Sequence, residues 1–427
     1  MNTPNTLNAP GHPTPRTIPA VPGSLRRLNR LAILQLLRTR GPISKAELAK
    51  LSAISPPTVS KVIDDLYANN LAEVVGTTTP SAAGGKPATL YRFHSSAVRI
   101  GAVLLSVDGV LAAICDGEGH LLLKAFQSFG AERAPRQVAA TITSLLNDLL
   151  GELSLAPSRL MGIGVGIPGL TDSARGIVSF APHLPGWQDV PLGHWLAEAF
   201  KVPVLLDNES HVQALAERYY GQGAGCDSLV CIETGIGLSA AFLLNGRLYR
   251  GASNTAGEIG HMTIQENGPR CDCGNHGCWE LYASTTWLAN QATQALQSGR
   301  PSSIRLQGEV KAQAEAVYAA ALAGDALALE LVEAHGRHFG VGVANLINVL
   351  NPKKIILQGE SVAGGQPFLQ VVRQTVRERT LKRPREVAEI VFSNLGDDAA
   401  LIGSMSLVME ALFSESSYPV SRPAVRL

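Results

Sequence analysis

The sequence predicts an α/β protein in two parts, a short trihelical module closed by a β-hairpin and a large domain of alternating strands and helices. Three observations carry this. Helical periodicity dominates residues 25–67 and gives way to two short strand-like runs before residue 94. From Val98 onward, apolar runs of strand length alternate with helical stretches, the pattern of an α/β class. The charge divides at the same place: residues 1–93 hold 11 Lys and Arg against 4 Asp and Glu, and the remainder holds 25 against 31. At 427 residues the chain is long enough for two or three domains. A hydrophobic content of 45% excludes global disorder. No apolar run reaches the ~18 residues that a bilayer span requires.

Residues 1–23 contain six prolines and no apolar periodicity, and are expected to form a disordered tail. Leu28, Leu31, Ile33, Leu34 and Leu37 then recur at helical spacing until Gly41-Pro42 stops the helix. Ser44 with Glu47 three residues on is a capping box that opens a second, short helix. Pro56-Pro57 opens a third, running to about Tyr67, with Val59, Val62, Ile63 and Leu66 on its apolar face. Residues 71–75 and 88–93 read as two strands joined by a loop that contains Gly84-Gly85-Lys86-Pro87. Three helices followed by a hairpin make a winged helix-turn-helix over residues 24–94, with 56–67 as recognition helix. Such a unit can also serve protein contacts alone, but the basic balance favours DNA. Ser55, Thr58, Ser60 and Lys61 are expected at the major groove, and Lys86 at phosphates or the minor groove.

The large domain spans residues 95–427. Strands at 98–105, 111–115 and 121–126 form a meander, followed by a helix at 135–150. Strands at 161–167 and 202–206, a helix at 209–220, and strands at 228–232 and 238–244 come next. Long helices at 312–323 and 325–350, strands at 354–357 and 389–392, and a helix after Asp397 complete the pattern.

Three motifs carry chemistry. Residues 161–170 read MGIGVGIPGL, a strand ending in glycines that lets a ligand approach the backbone closely. Asp207-Asn208-Glu209 ends an apolar strand and opens a helix, the place where α/β folds bind ligands. Glu209 could equally serve the helix dipole there. Glu258-Ile259-Gly260-His261 precedes CDCGNHGCWE at 271–280. His261 with Cys271, Cys273 and Cys278 makes a Cys3His zinc set. Four protein ligands leave no open position, so one structural Zn²⁺ per chain is expected, with His276 as a competing nitrogen ligand. The other three cysteines lie in apolar surroundings, and the N-terminus lacks the apolar centre of a secretory signal, so a cytoplasmic protein is expected.

Taken together, these residues resemble the ROK family of bacterial sugar kinases and sugar-responsive repressors. The similarity runs over about residues 95–410, through GIGVGIPG at 162–169, DNE at 207–209, ETGIG at 233–237, EIGH at 258–261, the cysteine motif and LINVLNP at 346–352. The resemblance implies the two-lobed actin and hexokinase fold, which is ribonuclease H-like, with a sugar in the cleft. It also implies that Asn208, Glu209, Glu258, His261 and Glu280 contact the sugar, with Gly169 lining the cleft. A winged helix in front is the arrangement of the family's repressors.

Departures from the kinase pattern separate the two activities. Family kinases place Asp after the cleft Asn as the base; this chain has Glu209. Their D-x-G-x-T phosphate loop corresponds to a hairpin with Leu104 and Asp108 at the Asp and Thr positions. A leucine cannot hold Mg²⁺, and a carboxylate repels phosphate. Their LGGG appears as Leu357-Gln358-Gly359-Glu360. The expectation is a DNA-binding regulator with a sugar effector, operator DNA as partner, no membrane association, and a homodimer or dimer of dimers. The alternative is a bifunctional ATP-dependent sugar kinase and regulator, kept open by Glu209 and the intact Thr234-Gly235-Ile236-Gly237.

Overall fold

The computed structural model describes residues 22–78, 87–130, 133–182 and 184–413. The tail read over 1–23 lies outside them, except that Pro22 and Gly23 already belong to the first helix, whose first turn tolerates proline. Lys86 and its loop glycines also lie outside the described residues. These residues fall into two compact units, one reaching His94 and including Phe413, the other running from Ser95 to Leu412.

The first unit consists of α1 (Pro22–Arg40), β1 (Ile43–Ser44), α2 (Lys45–Ser52), α3 (Pro56–Ala68), β2 (Ala72–Thr77) and β3 (Thr89–Phe93). Its antiparallel sheet has the order β1-β3-β2. The capping box is formed, with Glu47 N–H donating to Ser44 Oγ at 3.3 Å and Ser44 N–H to Glu47 Oε2 at 3.2 Å. Ala53 at φ +55° ends α2 in the left-handed region and turns the chain into α3. Ile33, Leu34, Leu48, Val59, Ile63 and Leu66 are buried between the helices. The Phe413 ring packs edge-on to Phe93 at 5.2 Å. Strand β1 has two residues, too short for any periodicity to announce it.

The second unit begins with β4 (Ile100–Leu105), β5 (Gly109–Cys115), β6 (Leu121–Ser128), α4 (Pro135–Glu152), β7 (Gly162–Ile167), β8 (Leu170–Asp172), β9 (Ile177–Phe180), β10 (Gln188–Val190), α5 (Leu192–Phe200) and β11 (Val204–Asn208). It continues through α6 (Glu209–Tyr220), β12 (Leu229–Thr234), β13 (Leu238–Leu244), β14 (Arg247–Tyr249), α7 (Glu280–Ala283), α8 (Thr285–Gln297), α9 (Val310–Leu322) and α10 (Ala326–Leu350). It ends with β15 (Lys354–Gly359), α11 (Gly365–Arg379), α12 (Lys382–Val387), β16 (Glu389–Phe392) and α13 (Ala399–Phe413).

Two five-stranded sheets organise this unit, in the orders β11-β7-β4-β5-β6 and β14-β13-β12-β15-β16. Their topologies match. In each, three consecutive strands run antiparallel, and two later strands add in parallel on the other side of the first. Each sheet has its own core, with α4 and α5 against the first and α8, α9, α10 and α11 against the second. This is the two-lobed α/β fold, a class in which ligands bind beyond the carboxyl ends of parallel strands.

Candidate functional site

The cleft is built at the C-terminal end of β11. Asn208 caps α6, its Oδ1 accepting from Ser210 N–H at 2.9 Å while its Nδ2 donates to the Gly169 carbonyl at 2.9 Å. A side chain at Gly169 would collide with the carbonyl of Phe180 and with Ala181, so only glycine lets that carbonyl reach Asn208. The cleft is lined by Leu170, Asn208, Ser210, His211, Ser239, Ala240, Asn254, Thr255, Ala256, Gly257 and Glu258. Gly257 at φ +117° lies against the Ala240 carbonyl and sets the turn that presents Glu258.

The structure therefore brings Gly169, Asn208 and Glu258 together. Glu209 is not among the residues that line the cleft, and its carboxyl interacts with Glu233 and Gln213. Burial pushes the Glu209 carboxyl up to about 8, with the charge of Glu233 adding and a hydrogen bond to Gln213 opposing. Burial also raises Glu233, which accepts from Gln213 Nε2 at 2.9 Å and from Ser210 Oγ at 3.2 Å.

Beneath Asn208 lies a buried ionic group that the sequence reading missed. Asp207 is 1% exposed, 2.8 Å from His211 Nδ1, and accepts from Arg250 Nε at 2.8 Å. Burial alone would raise its carboxyl, but His211 and Arg250 outweigh burial and hold it at about 2. The i to i+4 spacing of Asp207, at the end of β11, and His211, in the first turn of α6, is the available signal. Arg250 comes from a distant loop with no motif.

His261, Cys271, Cys273 and Cys278 gather with one ligand atom each, all within 4.8 Å of one another. Cys271 Sγ is 3.7 Å from His261 Nδ1, and Cys273 Sγ is 3.6 Å from Cys278 Sγ. A tetrahedron with Zn–S bonds of ~2.3 Å has edges of ~3.7 Å, which those two separations match. Gly274 and Gly277, at φ +93° and +66°, supply the turns. His276 lies apart, its Nδ1 3.4 Å from the Gly268 carbonyl, so His261 is the nitrogen in the set. Glu280 Oε1 sits 3.2 Å from both His261 Nδ1 and Cys271 Sγ. Glu280 is not among the residues that line the cleft.

On α3, Ser55 Oγ and Thr58 Oγ1 pair at 2.8 Å, and Lys61 is exposed. Ser60 is half-buried and accepts from Lys45 Nζ at 3.0 Å, so it faces α2 rather than open solvent. Lys45 and Arg30 hold the carboxylates of Asp64 and Asp65, which neutralises the acidic end of the helix. In the hairpin after β4, Ser106 Oγ accepts from Asp108 N–H at 3.3 Å and Gly109 N–H at 3.1 Å, so these two donors are spent within the turn.

The ROK family matches residues 100–411. The chain belongs to the ROK family. A second match, to the MarR family, covers residues 27–74, the three helices of the first unit and the start of its hairpin. The chain is 29% identical over 386 residues to the xylose repressor of Bacillus spizizenii, covering 90% of this chain and 96% of that protein. It is 29% identical over 398 residues to the DNA-binding transcriptional dual regulator NagC of Escherichia coli, covering 91% and 94%. A glucokinase from Halalkalibacterium halodurans is 35% identical over 276 residues, 64% of this chain and 83% of the enzyme. Among solved structures, a ROK family transcriptional regulator described as a homologue of E. coli Mlc matches with TM-score 0.82 at 27% identity, over 92% of this chain and 98% of that one. A ROK glucokinase from Streptomyces griseus with glucose and AMPPNP matches with TM-score 0.62 at 26% identity, over 73% and 99%. The repressors thus match both units of this ROK protein, and the kinases only the second. No helix among the described residues is long and apolar enough to cross a membrane.

Proposed function

We propose that this ROK protein is a transcriptional repressor that binds operator DNA through its winged helix and a sugar through the cleft at Asn208 and Glu258. The observation that carries the reading is the joint match of a MarR-type module and a whole ROK domain to repressors over 90% of the chain. Sugar and operator couple because the sugar binds one conformation of the protein better than the other, and that coupling is reciprocal. Gene regulation by operator release is the sense of the switch. The active species is a homodimer or dimer of dimers, since recognition helices of this type read two half-sites about one helical turn or a multiple apart.

The same protein is a former kinase that does not phosphorylate its sugar. Leu104 offers no ligand to Mg²⁺, Asp108 stands exposed at the hairpin, and the nucleotide side carries Glu233 and Glu360. A coupled assay with MgATP and sugars is expected to stay at background. Turnover at ~1–100 per second would instead establish a kinase.

One structural Zn²⁺ per chain held by His261, Cys271, Cys273 and Cys278 orients the turn that carries Glu258. Elemental analysis is expected to find one zinc per chain, and Cys273→Ala to lose the metal and sugar affinity together. Well-folded protein with far less than one zinc would remove this element. At the DNA, Lys61→Ala is expected to weaken operator binding and to lower the salt-dependence slope by about one. Ser55, Thr58 and Ser60 are assigned to base and backbone contacts and Lys86 to the wing; changing Thr58 should alter sequence preference more than salt dependence. An unchanged slope in Lys61→Ala would remove that lysine from the phosphate contacts.

A further inference from the structure

The loop that follows β14 in the second sheet supplies Asn254, Thr255, Ala256, Gly257 and Glu258 to the cleft. Between Arg250 and Glu258 the chain forms no helix or strand. Ordering irregular chain costs entropy at every residue, so specific contacts must hold this loop in place. Within its own lobe, the Gly257 carbonyl accepts from Ala240 N–H at 2.8 Å. Further ties run to a single carboxylate of the other lobe.

That carboxylate is Asp207, at the end of β11 in the first sheet. Its Oδ2 accepts from Arg250 Nε at 2.8 Å and pairs with Nη2 at 2.7 Å. Its Oδ1 lies 2.8 Å from His211 Nδ1 and accepts from Asn208 N–H at 2.8 Å. The other nitrogen of that imidazole, Nε2, donates to the Ala256 carbonyl at 3.4 Å. Ala256 N–H donates in turn to the Arg250 carbonyl at 3.1 Å, which pins the two ends of the loop together. Both ends therefore hang on Asp207, one directly and one through His211. Asp207 and His211 are 1% and 2% exposed, so water competes little for these bonds. Arg250 is not among the residues that line the cleft. Its guanidinium holds the loop and not the ligand.

We infer that Arg250 is a positioning residue for the cleft: through Asp207 it fixes, across the gap between the lobes, the loop that presents Glu258, and so sets ligand affinity. The inference rests on the reading of the cleft as the sugar site. The test is calorimetry on the full chain, well below its melting temperature, with D-xylose, D-glucose and N-acetyl-D-glucosamine. Arg250→Ala should weaken a sugar that binds the parental chain by ~10-fold or more, the scale on which loss of an orienting partner acts at metal ligands. Guanidinium chloride at ~20 mM, far below the molar range of unfolding, should restore most of that affinity by refilling the place beside Asp207. Sodium chloride at the same concentration should not. If Arg250→Ala does not fold, Arg250→Gln should show the same loss. Parental affinity in a folded variant overturns the inference and leaves the sugar-site reading standing. A loss that guanidinium leaves in place in Arg250→Ala marks general loosening of the domain and overturns it as well. Silence of the parental chain toward all three sugars counts against the reading of the cleft and, with it, the inference.

Discussion

Asp207→Ala is expected to destabilise the ROK domain by about 3–5 kcal/mol, because it strips the carboxylate partner from the largely buried Arg250 guanidinium and removes the acceptor beside His211. Asp207 is wholly buried, and His211 and Arg250 both close on its carboxylate. Its hydrogen bonds also tie α6 and the loop of Arg250 to the end of β11, directly beneath Asn208. The pH dependence follows from a carboxyl held at about 2 in the folded protein. A depressed carboxyl contributes stability in full above its unfolded value of ~3.9, and loses it as pH falls from there toward the folded value. The penalty of Asp207→Ala should therefore be largest near neutrality and shrink below pH ~4. Urea unfolding at pH 7 checks the size. A loss under about 1 kcal/mol would mean that the ionic group is a surface-like pair of little consequence.

The second large effect belongs to the cleft. Asn208→Ala with Glu258→Ala should reduce sugar affinity by at least ~100-fold, since hydrogen bonds to charged groups contribute about 1.5–3 kcal/mol and neutral ones about 1. Part of the Asn208 effect is structural, because its side chain caps α6 and anchors the Gly169 carbonyl. Loss of that cap costs about 1 kcal/mol of stability. Operator binding without sugar separates the two contributions, as the double variant should still bind DNA while ignoring the sugar. Parental sugar affinity in the double variant would place the sugar elsewhere.

Much of this was legible before any coordinates. The capping box at Ser44 and Glu47, the prolines that open α3, and the strand that ends at Asn208 each announce themselves by local chemistry. The cluster of His261, Cys271, Cys273 and Cys278 is legible because three cysteines and a histidine at that spacing have the pattern of a metal-binding set. The doubled sheet topology left no mark, since pairing order is not a sequence repeat. The small β8–β10 sheet and helix α5 were missed because short, turn-rich segments lack a full period. The chemistry that escaped is long-range: Arg250 reaches Asp207 across 43 residues, and Glu233 meets Glu209 only once β12 packs against α6. Ser60 is legible as a polar position on α3, but its hydrogen bond from Lys45 on the preceding helix is a tertiary contact that no spacing announces.

The most direct test is operator affinity of the full chain with and without a sugar shown by calorimetry to occupy the cleft. A coupling of about 1–3 kcal/mol corresponds to a ~5–150-fold change. The expected result is weaker DNA binding with sugar bound, and no such change in the Asn208→Ala, Glu258→Ala double variant. Equal operator affinity with the cleft occupied would contradict a sugar-responsive repressor.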